Sequence, residues 1–114
     1  FKNYEFEFEW KVGKGSNSGV LYMIQEVEGQ PSYISAPEYQ VLDNANHPDA
    51  KLGKDGNRQS ASLYDMIPAK PQNSKPLAYE LLLNCGGENK EGFIGFQDHG
   101  DDVWYRNITI KELD

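Results

Sequence analysis

The sequence predicts an all-β protein, a sandwich of antiparallel sheets, and three observations carry that prediction. Tyr4-Glu5-Phe6-Glu7-Phe8-Glu9-Trp10-Lys11-Val12 alternates apolar and charged residues without a slip. Further short apolar, β-prone runs follow, separated by segments rich in Gly, Pro, Asn and Asp. No stretch shows the apolar period of an amphipathic helix, and there is no internal repeat. A strand with a period of two buries one face, and two sheets packed face to face are the natural way to bury it.

Taken in order, Tyr4–Val12 is a half-buried antiparallel strand. Its aromatic side chains lie on one face, with Glu5, Glu7, Glu9 and Lys11 on the other. Residues 13–19 (Gly-Lys-Gly-Ser-Asn-Ser-Gly) form a turn-rich loop. Val20–Ile24 is continuously apolar and reads as a more central strand. Glu38–Leu42 is the third strand, after a loop marked by Gly29, Pro31 and Pro37. Asp43–Gln59 is a long polar loop, and loops of that length in a small domain are often functional. Ser60–Tyr64 is expected to be a short strand. Ile67–Pro76 carries three prolines and is expected to be irregular. Phe93–Gln97 and Val103–Leu113 are the last strands.

With 114 residues, the chain suffices for one domain, 1–114. Its net charge is −7, with 18 acidic against 11 basic side chains. An anionic membrane surface or a nucleic-acid backbone would be repelled, so neither is expected as a partner. No apolar run approaches the ~20 residues of a membrane span. The chain opens on Phe1 and shows no basic-then-apolar leader, as expected of a processed protein or an excised piece. The single cysteine, Cys85, excludes an internal disulfide. With no basic residue close by in sequence, it suits a small buried hydrophobe better than a nucleophile.

Polar and titratable groups gather in three places. Phe93-Ile94-Gly95-Phe96 runs into Gln97-Asp98-His99-Gly100, where Gln97 and His99 would share a strand face. A histidine side chain can serve as an acid, a base or a metal ligand. The competing reading is a turn in which Asp98 caps backbone N–H groups and His99 packs. Glu38-x-Gln40-x-x-Asp43 places a carboxylate and an amide on one strand face, with Tyr39 and Val41 opposite. They line a concave ligand surface or simply face solvent. His47, four residues past Asp43, is within reach of the same place. Asp43–Asp49 fails the EF-hand spacing, and no zinc-type Cys/His spacing exists. On the last strand, Trp104, Arg106, Ile108 and Ile110 share one face by simple alternation. A guanidinium in an apolar row needs a carboxylate or a ligand oxygen. Asn17-Ser18-Gly19 reads as a turn or as a fourth part of the site.

Several segments, in order, carry a family resemblance: Asn17-Ser18-Gly19-Val20, Glu38-Tyr39-Gln40-Val41-Leu42-Asp43, Ala61-Ser62-Leu63-Tyr64, Gly92-Phe93-Ile94-Gly95-Phe96-Gln97-Asp98-His99-Gly100 and Trp104-Tyr105-Arg106-Asn107-Ile108. The series resembles the 3-keto-disaccharide hydrolase family over most of the chain. The resemblance implies a concanavalin A-like (lectin/glucanase) jelly-roll β-sandwich and a carbohydrate substrate. It implies cleavage of a glycoside already oxidised at sugar carbon 3. The ketone acidifies the proton on carbon 2, a base removes it, and the group on carbon 1 is eliminated. This differs from the paired-carboxylate route of ordinary glycosidases.

Carried onto this chain, the resemblance puts His99, Glu38 and Asp43 in catalytic roles. Gln40, His47, Gln97, Arg106 and Asn17 become substrate contacts. A divalent metal, held by Glu38 and His99, would act as the Lewis acid. Asn84-Cys85-Gly86-Gly87-Glu88 resembles relatives from gut Bacteroidetes that are exported, so a periplasmic or cell-surface lipoprotein location is implied. Against the family pattern, strands before Tyr4 are absent. A further segment of two or three strands, roughly fifty residues, is expected between Pro76 and Leu77, which would then not be covalent neighbours in the natural protein. The rival expectation is a non-catalytic, lectin-like module on the same sandwich, with a flatter groove and exposed rings. A structural adhesion domain is a third, expected if no pocket forms.

Overall fold

The computed structural model describes residues 3–25, 28–31, 36–70, 81–85 and 92–113, with backbone alone for 81–85. The expectation that Pro76 and Leu77 are not covalent neighbours lies outside these residues, as does the side-chain reading of Cys85.

The described strands are β1 (Tyr4–Val12), β2 (Asn17–Ile24), β3 (Glu38–Leu42), β4 (Leu81–Cys85), β5 (Phe93–Phe96) and β6 (Val103–Glu112). They form two antiparallel three-stranded sheets, ordered β4-β1-β6 and β3-β2-β5. The chain is therefore an all-β sandwich.

The alternation in β1 is honoured. Tyr4, Phe6, Phe8 and Trp10 are buried, Val12 is half-buried, and the charged residues between them point away. From the second sheet, Val20, Tyr39 and Val41 meet them in the core. The rings pack mostly edge-on or tilted, with Phe8–Tyr39 centroids at 5.9 Å, Trp10–Tyr39 at 6.1 Å and Phe96–Tyr105 at 4.3 Å. One polar link crosses the core: Ser18 Oγ donates to the Gln97 carbonyl (2.7 Å) and lies 2.8 Å from the Tyr105 hydroxyl. With its own proton committed to Gln97, Ser18 accepts from Tyr105.

The expectation for β6 needs correction. The register shifts between Glu7 and Glu9, where Asn107 adopts φ +50°. Two β6 residues thus oppose one of β1, a bulge that resets the alternation. Trp104 and Arg106 pair with Lys11 and Glu9 on the outer face, while Ile110 pairs with Phe6 on the inner one. The four residues do not share a face.

The segment 43–67 lies over the outer face of the second sheet and buries Leu21, Leu42 and Ala50 there. It contains a 3₁₀ turn at Pro48–Lys51, entered from His47, whose Nδ1 accepts the Asp49 N–H at 3.1 Å. Ser60–Tyr64 is not the expected strand. Ala61 sits at φ +69°, which breaks the extended run into turns. The edge of β3 is nonetheless satisfied by this segment. Gln40 N–H donates to Ser62 O (3.0 Å), Ala61 N–H to Gln40 O (2.8 Å) and Tyr64 N–H to Glu38 O (2.9 Å).

Candidate active site

Strand register decides which side chains meet. Tyr39 and Val41 point into the core, so Glu38 and Gln40 must point outward from the same strand. Across the ladder Gly19 faces Gln40, Asn17 faces Leu42 and Leu21 faces Glu38. On the other side of β2, the Gln97 N–H donates to the Gly19 carbonyl at 2.8 Å, which continues the β5 pairing by one residue. Asn17, Gly19, Glu38, Gln40 and Gln97 thus share the outer face of one sheet. Segment 43–67 forms the wall above it.

Between sheet and wall lies a cavity of about 830 Å³. That volume suits a drug-sized or sugar-sized ligand. Asn17, Glu38, Gln40, His47, Gln97 and His99 all line it. Six sequence-selected residues, separated by up to 82 positions, are therefore brought to one place. Concave geometry with a recessed carboxylate departs from the flat, ring-lined groove expected of a lectin-like module.

Glu38 is the most perturbed group there. Burial, aided by the like charge of Asp49, pushes its carboxyl up to about 7. Its side chain lies flat across Gly19. A Cβ on Gly19 would stand 2.8 Å from the Glu38 Cδ and closer still to its carboxylate oxygen, so only glycine leaves room. Gln40 is 1% exposed, and its Oε1 accepts the Val41 N–H at 3.1 Å. Asn17 Oδ1 and Gln97 Oε1 are buried acceptors without a hydrogen-bond partner in the described structure. Unmet buried acceptors are costly and invite a donor from a ligand.

Two expected site residues lie elsewhere. Asp43 does not line the cavity. Its carboxylate accepts from Gly15 N–H (2.8 Å), Ala45 N–H (3.1 Å) and Asn46 Nδ2 (2.7 Å). The Gly15 bond above all holds its carboxyl below the usual range. Both oxygens are thus committed to tying the β1–β2 turn to the start of the loop. Arg106 stands on the outer face of the opposite sheet, 73% exposed and paired with Glu9. It lines a separate groove of about 460 Å³ with Glu9, Lys11 and Trp104. The expected convergence of Arg106 with Glu38 is therefore not found, because the Asn107 bulge and the β1 pairing aim it outward.

The structure adds residues that sequence reasoning missed. Asp49 lines the cavity and is clamped by Arg58 Nη1 (3.1 Å) and the Tyr64 hydroxyl (2.8 Å), while Arg58 Nε also holds Asp65 (2.8 Å). Ala36, Pro37, Pro48, Leu52 and Met66 supply apolar lining. Gly19, expected in a turn-rich loop, stands instead within β2, where a strand glycine marks a close approach.

Among the described residues, no three His, Cys, Asp or Glu side chains gather as a group that could hold a metal ion. Glu38 and His99 as a pair fall short of the ~4 to 8 ligands of a zinc or calcium site. Among the described residues this pair alone does not complete a ligand set for the expected divalent metal. Among the described residues no helix is long and apolar enough to cross a membrane.

Comparison with known proteins accords with this fold. A family model described as "3-keto-alpha-glucoside-1,2-lyase-like domain" matches residues 1–80 and again 71–111. A relative from Bacteroides thetaiotaomicron, named 3-keto-disaccharide hydrolase, is 51% identical over 173 residues. That match takes in all of this chain and 60% of the relative, so the chain spans about three-fifths of its length. A crystal structure described as "Putative glycosyl hydrolase from Parabacteroides distasonis ATCC 8503" superposes with a TM-score of 0.76 at 20% identity. It covers 99% of this chain and 79% of that one, a likeness of fold.

Proposed function

The chain belongs to the 3-keto-alpha-glucoside-1,2-lyase-like family, and from that premise we propose that it cleaves 3-keto-glycosides at the cavity floored by Gly19 and Glu38. One observation carries the reading: a carboxylate laid across Gly19, recessed in a sugar-sized cavity, with its ionisation moved to about 7. A carboxylate so placed is matched to proton abstraction at neutral pH.

In this reading the sugar donates hydroxyl protons to Asn17 Oδ1 and Gln97 Oε1. Glu38 removes the proton on carbon 2. The freed electron pair becomes the carbon 1–carbon 2 double bond as the bond from carbon 1 to the leaving oxygen breaks. That oxygen departs with its electron pair and takes, through water, the proton that Glu38 gained, which returns Glu38 to its carboxylate form. Water then adds across the double bond, and the net reaction is hydrolysis. Charge that develops on the carbon 3 oxygen needs a donor. His99 and His47 both line the cavity. His47 has its Nδ1 occupied by the Asp49 N–H, so its neutral form carries the proton on Nε2 and can donate from there.

Two substrates test this: a 3-keto-glucoside carrying deuterium on carbon 2, and the unoxidised glucoside. The proposal expects release of the leaving group from the keto sugar alone, slowed by the deuterium. Equal release from both substrates, or release indifferent to the label, would refute proton abstraction at carbon 2.

A further inference from the structure

The cavity changes character along β3. Toward Asn17, which faces Leu42, its lining is amide and imidazole: Asn17, Gln97 and His99. Toward the start of β3 apolar groups gather beside Tyr64 and the Asp49 carboxylate that its hydroxyl holds. Ala36 and Pro37 immediately precede Glu38, and Met66 follows Tyr64, whose N–H is bonded to the Glu38 carbonyl. Leu52 adds a second exposed apolar side chain to the lining. Asn17 and Leu21 lie four residues apart on β2, so the two ends are separated by roughly 13 Å. The Glu38 carboxylate, drawn back over Gly19, sits between them.

Met66 is 68% exposed and Leu52 55% exposed. Large apolar side chains open to solvent at the lip of a polar cavity mark a surface that something apolar covers. The unbranched thioether of methionine conforms to flat and irregular ligands.

Resting on the family reading above, we propose that Ala36, Pro37 and Met66 form the leaving-group subsite and that it takes an apolar, planar group. The ring oxidised at carbon 3 occupies the Asn17–Gln97–His99 end. The departing group lies against Pro37 and Met66. Glu38 stands at the junction of the two. The favoured substrate is then an aryl glycoside in keto form rather than a disaccharide.

Unoxidised glucosides test the subsite without turnover, since they lack the acidified proton. The chain has two methionines, Met23 and Met66, so methyl-¹³C labelling gives one reporter and one internal control. The probes are 4-nitrophenyl glucoside, methyl glucoside and glucosyl-glucose, each in both anomers, and free 4-nitrophenol. The aryl glucoside should bind about tenfold more tightly than the other two sugars and shift the Met66 methyl while leaving Met23 unmoved. Met66→Asp should reduce its affinity to that of methyl glucoside. Equal affinities, tighter binding of the disaccharide, an unmoved Met66 methyl or an aryl preference that survives Met66→Asp would each overturn the proposal. Free 4-nitrophenol separates the two ideas. If it shifts Met66 while no sugar binds, the apolar subsite stands and the glycoside reading fails.

Discussion

The side chain of Glu38 occupies the space that a Cβ on Gly19 would fill. Two strands are paired so closely on this face that the carboxylate can lie flat, shielded from water, only because its neighbour has no side chain.

Gly19→Ala should therefore disable the site while sparing the fold. The added methyl must push Glu38 toward solvent, where its carboxyl returns toward the ordinary range. Turnover of a 3-keto-glucoside should fall by at least about tenfold, as a displacement of roughly 1 Å costs in comparable sites. Far-ultraviolet circular dichroism should be unchanged. Parental turnover in this variant would contradict the placement of Glu38.

Glu38→Gln should trade activity for stability in one pH range. In the folded protein burial pushes the carboxyl up to about 7, from an ordinary 4.5. Between those values the folded state holds a proton that the unfolded state has lost, so stability falls as pH rises through that window. The amide removes this cost. At pH 8 the variant should be more stable than the parent by roughly 2–3 kcal/mol, and near pH 4 the two should agree. Denaturant titration at both pH values measures the difference.

Asp49→Asn should move the pH dependence. Glu38 is faced by His47, Asp49 and Tyr64 from the 43–67 segment and by His99 beyond β5, while Tyr105 senses its charge from the other sheet. Of these, Asp49 adds to burial in raising Glu38, and Arg58 and Tyr64 hold it in place. Removing its charge should lower the Glu38 pKa. The acidic limb of kcat/KM should then shift to lower pH. A limb that moves up or stays fixed would exclude this coupling.

Arg106→Ala should leave cleavage of a 3-keto-glucoside unchanged, because the guanidinium pairs with Glu9 on the outer face of the opposite sheet. Loss of turnover in a folded variant would return Arg106 to the site.

β1 was legible because strict alternation has one interpretation once a core exists: Phe8 and Trp10 go in, Glu7 and Lys11 go out. The pairing of Glu38 with Gln40 was legible for the same reason, and Tyr39 and Val41 confirmed it from the opposite face. Arg106 was misplaced because alternation was carried through Asn107, whose left-handed backbone resets it and which bears no local mark of a bulge. Ser60–Tyr64 failed similarly at Ala61, an L-residue held at φ +69° where its N–H and the Ser62 carbonyl both bond Gln40. Asp43 entered the site through the family resemblance, but it follows the last residue of β3 and its carboxylate ties a turn. Asp49, Tyr64 and Met66 could not be read in advance, because only the folding of the 43–67 segment over the sheet brings them to Glu38.

The central claim is that Glu38 takes the proton from carbon 2, and isotope exchange tests it most directly. The parent and the Glu38→Gln variant are each incubated with a 3-keto-glucoside deuterated at carbon 2, and loss of the label is followed by NMR alongside release of the leaving group. The account predicts that the parent washes out the label and releases the group, while the folded variant does neither. Label loss at the parental rate in Glu38→Gln would contradict it.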